Sequence, residues 1–69
     1  MAAKKVVVKG GGRNLFKVSE YNGTFYVYQV EVGLLSDDKH QIGKTTSLED
    51  ALTLIRSYTG KDIEKISNW

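Results

Sequence analysis

Two neighbouring stretches of this chain, Leu15 to Glu20 and Phe25 to Gly33, are rich in β-branched and aromatic residues and read as strands. Successive side chains of a strand point to opposite faces. The two stretches are joined by Tyr21-Asn22-Gly23-Thr24. Asn-Gly suits a two-residue type I′ turn, in which both central residues need φ > 0. A turn at Asn22-Gly23 therefore predicts a hairpin of defined register. Tyr21 faces Thr24, Glu20 faces Phe25, Ser19 faces Tyr26, Val18 faces Val27, Lys17 faces Tyr28, Phe16 faces Gln29 and Leu15 faces Val30. One face then carries Phe16, Val18, Glu20, Phe25, Val27, Gln29 and Glu31. The other carries Leu15, Lys17, Ser19, Tyr21, Thr24, Tyr26, Tyr28, Val30 and Val32.

The same pattern places the remaining elements. Val6-Val7-Val8 within Lys4 to Lys9 suits a strand, since β-branched side chains favour that conformation. Gly10-Gly11-Gly12 breaks it as a flexible linker or wide turn. Leu34 and Leu35 prolong the apolar run of the second hairpin strand. Ser36-Asp37-Asp38-Lys39 reads as a turn by composition. His40 to Thr46 reads as the next strand, antiparallel to the one before it. Ser47 then caps a helix, with Asp50 three residues on and Glu49 beside it at the positive end of the helix dipole. Leu48, Ala51, Leu52, Ile55 and Tyr58 form one apolar stripe. Gly60 is a natural C′ residue, which predicts a helix of about residues 48–59. Ile63 and Ile66 are three apart and break strict alternation. A turn at Lys61-Asp62 and a strand from about Glu64 is the preferred reading, and a helical turn the alternative. Trp69, the last residue, is expected to fold back onto the core rather than stand free for a partner.

The order is β-β-β-β-α-β. It predicts an α+β two-layer sandwich, an antiparallel sheet of three to five strands with one helix on one face. A helix of three turns is marginal alone and must dock on the sheet. Phe16, Val18, Phe25 and Val27 are the expected core, because phenylalanine has no polar atom to keep wet. Lys17, Tyr21, Tyr26 and Tyr28 then face away from the helix. A bulge in the second hairpin strand would instead bring both Phe25 and Val32 inside.

Length and composition narrow the function. Sixty-nine residues make one domain with a small core. The chain has no cysteine, so neither a disulfide nor a thiolate metal site can staple it. No secretory pattern precedes the first strand, and no apolar run reaches the ~20 residues of a membrane span. A cytoplasmic protein without a membrane partner is expected. Asn22-Gly23-Thr24 matches the glycosylation pattern only as an accident of the tight turn.

The net charge of +2 is unevenly spread. Lys4, Lys5, Lys9, Arg13 and Lys17 fall in the first 17 residues with no acid among them, and the remainder is acidic on balance. Residues 1–12 are read as a basic arm, flexible or forming an edge strand. Such asymmetry hints at an acidic partner, nucleic acid included.

No catalytic set stands out. His40 is the only histidine, and with Asp37 and Asp38 it falls short of the four firm ligands of a structural zinc site. Gly43-Lys44-Thr45 ends like a phosphate loop, but the required earlier glycine is replaced by Asp38 and the helix cap falls later, at Ser47. Ser47-Leu48-Glu49-Asp50-Ala51-Leu52 after a glycine-bearing strand is similar to the strand-to-helix step of many small β-β-β-α domains, including antitoxins of the HicB type. That resemblance implies capping chemistry and no function.

The leading expectation is a non-catalytic interaction module. It would bind a protein, or a second copy of itself, through the uncovered sheet face (Lys17, Tyr21, Tyr26, Tyr28) or a strand edge. The alternative is single-stranded nucleic acid, with Lys4, Lys5, Lys9, Arg13 and Lys17 along the backbone and Tyr26 and Tyr28 under the bases. No metal, cofactor or catalytic residue is nominated.

Overall fold

The structure is a computed structural model that describes residues 2–10, 15–32 and 37–69. It contains β1 (Ala2–Val8), β2 (Leu15–Tyr21), β3 (Thr24–Val32), β4 (Asp37–Thr45), α1 (Leu48–Thr59) and β5 (Ile63–Asn68). The five strands form one antiparallel sheet in the order β4-β3-β2-β1-β5. This is the two-layer α+β architecture expected from the apolar pattern.

The β2–β3 hairpin turns at Asn22 (φ 51°) and Gly23 (φ 80°), both in the left-handed region that a type I′ turn requires. All seven strand pairings follow the predicted register, from Tyr21 opposite Thr24 to Leu15 opposite Val30. The helix begins and ends as its caps dictate. Ser47 Oγ accepts the Asp50 amide at 3.1 Å, and Gly60 (φ 70°) donates its amide to the Arg56 carbonyl at 2.7 Å.

Helix α1 lies across β2, β3 and β4. The core beneath it is built from Val6, Val8, Phe16, Val18 and Val27 of the sheet and Ala51 and Ile55 of the helix, all buried. Phe25, Ile42, Leu48, Leu52, Leu54 and Ile63 pack around them. The expected core face, Phe16, Val18, Phe25 and Val27, is thus the face the helix covers. At its edge Tyr58 meets Phe16 edge-on, with ring centroids 6.2 Å apart. The Tyr58 hydroxyl donates to Gln29 Oε1 at 3.1 Å, and His40 Nε2 lies 3.1 Å from that same oxygen.

Four expectations change. First, β1 is not an arm or an edge strand. It sits between β2 and β5, so the edges belong to β4 and β5. Second, Asp37, Asp38 and Lys39 are strand and not turn, paired with Val32, Glu31 and Val30. Third, the bulge falls in β4 and not in the hairpin. Gly43 pairs with Val27 and Gln41 with Tyr28, which leaves Ile42 as the extra residue and lets it join the core periphery. Fourth, β5 starts at Ile63. Val7 pairs with Lys65 and Val8 with Ile63, so Glu64 is the extra residue there. That bulge explains the three-residue spacing: Ile63 and Ile66 stand opposite the buried Val8 and Val6. Gly11, Gly12, Arg13, Gly33, Leu34, Leu35 and Ser36, which the sequence reading also used, lie outside the described residues.

Candidate functional site

Among the described residues the helix covers one face of the sheet and no second helix lies on the other, where Val30 is nonetheless buried. Between the Val32–Asp37 pair and the Tyr21–Thr24 pair that flanks the turn, the registers define three cross-strand rows on that open face. The first runs Lys39, Val30, Leu15, Val7, Lys65. The second runs Gln41, Tyr28, Lys17, Lys5, Ser67. The third, nearest the turn, runs Lys44, Tyr26, Ser19, Ala3. Five lysines stand in these three rows and no carboxylate does; Asp37, opposite Val32, takes the next register position on this face. The acids of the hairpin, Glu20 and Glu31, fall on the helix side by strand alternation, and Glu49 and Asp50 lie in the first turn of α1. Within these three rows the pleat therefore gathers lysines without acids.

Lys17, Ser19, Tyr21, Tyr26, Tyr28, Lys39 and Gln41 line a shallow depression of about 380 Å³ on this face. It contains four of the residues nominated from sequence, Lys17, Tyr21, Tyr26 and Tyr28. Tyr21 is half exposed at the rim, and Tyr26 and Tyr28 are partly covered. Lys39 Nζ stands 5.0 Å from the centre of the Tyr28 ring, a cation–π distance. Lys39 and Gln41 escaped the sequence reading because they belong to the site only through the pairing of β4 with β3, whereas Ser19 was expected on this face and not nominated.

The other nominated cations divide. Lys5 joins the face in the second row, opposite Lys17. Lys4 is one residue off in the alternation, opposite Val18 on the helix side. Its ammonium donates to Asn68 Oδ1 at 2.8 Å. Lys9 follows the end of β1, where its amide donates to the Asp62 carbonyl, and it stands in none of the three rows. Arg13 lies outside the described residues.

Trp69 does fold back, but onto the open face and not onto the core. Its amide donates to the Ala3 carbonyl at 3.2 Å. Its ring lies 4.9 Å from Lys17 Nζ and 5.5 Å from Lys5 Nζ and stays half exposed. Nothing local in the sequence could place it there, because the position is set by β5 pairing with β1.

A second hollow of about 410 Å³ runs along α1 between Glu49, Asp50, Leu52, Thr53 and Arg56. Among the described residues its lining comes from this one helix. Among the described residues no three metal-ligating side chains cluster, and no helix is long and apolar enough to cross a membrane. Compared with protein-family models, with curated proteins and with solved structures, the chain has no match in any of the three.

Proposed function

We propose that the protein is a non-catalytic binding module whose open sheet face takes single-stranded nucleic acid. The observation that carries this reading is the composition of the three rows: tyrosines set among five lysines with no carboxylate between them. Unpaired bases stack on exposed aromatic rings whatever their sequence, and ammonium groups follow the phosphates. The same composition argues against self-association through this face. A second copy placed on it by a two-fold axis would set lysines against lysines, and like charges opposed at close range are unfavourable.

The test is a titration of labelled single-stranded RNA and DNA at two salt concentrations. Binding that weakens steeply as salt rises supports the reading. No binding at low salt removes it.

Binding of a protein, or of a second copy, is favoured by a different observation. Ile66 of edge strand β5 and Tyr58 of α1 are 43% and 52% exposed on the helix side. An edge strand beside apolar surface is a place where another chain can add. Sedimentation at two protein concentrations tests self-association there, and a monomer at both concentrations excludes it.

A further inference from the structure

We propose that Trp69 is a third base-stacking platform, so that a bound single strand crosses the sheet from β3 to β1 over Lys17. The inference rests on the reading above and extends it beyond the tyrosines to the far side of the sheet. Trp69 is anchored beside β1 by its bond to Ala3, which fixes a large ring that is still half open to solvent. Two ammonium groups, from Lys5 and Lys17, lie within cation–π range of that ring. Lys39 stands in the same relation to Tyr28. Each of these two platforms is therefore supplied with its own cation.

A nucleotide satisfies both partners of such a pair at once. Its base offers a π-face to the ring, and its phosphate offers negative charge to the ammonium group. The free protein holds the cation over or beside the ring; the bound strand inserts the base and draws the cation to the backbone. Tyr26 and Tyr28 stand on β3 and Trp69 beside β1. Two strand spacings separate them, roughly 10 Å, with Lys17 and Ser19 of β2 between. Only unpaired bases can be splayed across such a spacing, because bases in a duplex are already stacked and paired.

Trp69 is the only tryptophan, so its emission reports this site alone. The experiment titrates short oligothymidylate and oligouridylate into the full chain at low salt. Trp69 emission and the anisotropy of a labelled copy of each strand are followed together. The expected result is quenching of Trp69 in step with the anisotropy rise, a loss of affinity of roughly tenfold or more in Trp69→Ala, and near-normal affinity in Trp69→Phe. The salt dependence of Trp69→Ala should match that of the wild type, since no charge is removed. Thermal unfolding of both variants separates loss of the platform from loss of the fold. If Trp69→Ala destabilises the sheet, the emission change and Trp69→Phe still decide. Emission that stays constant while anisotropy rises, or wild-type affinity in Trp69→Ala, overturns the inference and leaves the tyrosine reading intact. A duplex that binds as tightly as the single strands also overturns it. No anisotropy change with any strand overturns both.

Discussion

A Cβ placed on Gly43 would lie 2.7 Å from Cδ2 of Leu54, closer than side chains approach. The glycine therefore leaves room on β4 for the end of the Leu54 side chain from α1. Gly43→Val should cost about 1–3 kcal/mol through overpacking. For a domain of this size each kcal/mol is a fall in Tm of about 4–8 °C. Adding Leu54→Ala should restore part of the loss, and a double-mutant cycle by thermal unfolding measures the coupling. Full stability in Gly43→Val would contradict the close approach.

Gly23 gives a contrasting case. It has φ 80°, yet nothing lies within 4 Å of a Cβ built on it. Gly23→Ala meets no neighbour, so its cost is that of a left-handed backbone alone, about 1–2 kcal/mol. Chemical denaturation should show this loss while cross-strand NOEs between Lys17 and Tyr28 persist. Loss of those NOEs would mean that the turn, and not the faces, holds the register.

Phe16 is fully buried between the sheet and α1. Phe16→Ala should cost about 3–5 kcal/mol. At about 0.05–0.15 kcal/mol per residue, the whole chain has only about 3–10 kcal/mol to lose. Far-UV circular dichroism at 25 °C should show a largely unfolded or barely stable variant. Tyr28→Ala, partly covered on the other face of an interior strand, should cost less, about 1 kcal/mol.

The lysines of the open face should be separable from those off it. Lys17→Gln, Lys39→Gln and Lys44→Gln combined should lower the slope of log affinity against log salt by about two, at about 0.7 per single-strand phosphate contact. Lys4→Gln and Lys9→Gln should leave the slope unchanged. A slope that responds equally to both sets would disperse the site into general attraction between the chain and a polyanion.

What the sequence disclosed was local. Asn22-Gly23 set the hairpin register, and Ser47, Asp50 and Gly60 set the helix, because turns and caps are decided by side chains a few residues apart. The helix side of the hairpin was legible from Phe16 and Phe25. What escaped was non-local or irregular. The bulges at Ile42 and Glu64 leave no pattern of their own; they appear as alternation that fails, as between Ile63 and Ile66. The pairing of β1 with β5 has no signal in either segment, and it decides where Lys4, Lys5 and Trp69 lie. The lysine side chains in particular looked alike in the sequence. A shift of one residue along β1 divides Lys4 from Lys5, one hydrogen-bonded to Asn68 and the other beside the tryptophan.

The pairing of β1 with β5 also has a kinetic meaning. Lys4 and Asn68 meet across 64 positions of chain, whereas the β2–β3 hairpin closes over two. Long closures carry the larger entropy cost and slow folding, so the hairpin and its tyrosines can assemble before β5 arrives. Trp69 reaches Lys5 and Lys17 only when that final strand is in place. Its emission should consequently rise or fall in the slowest folding phase, and a chain caught before that step would present tyrosines without the tryptophan.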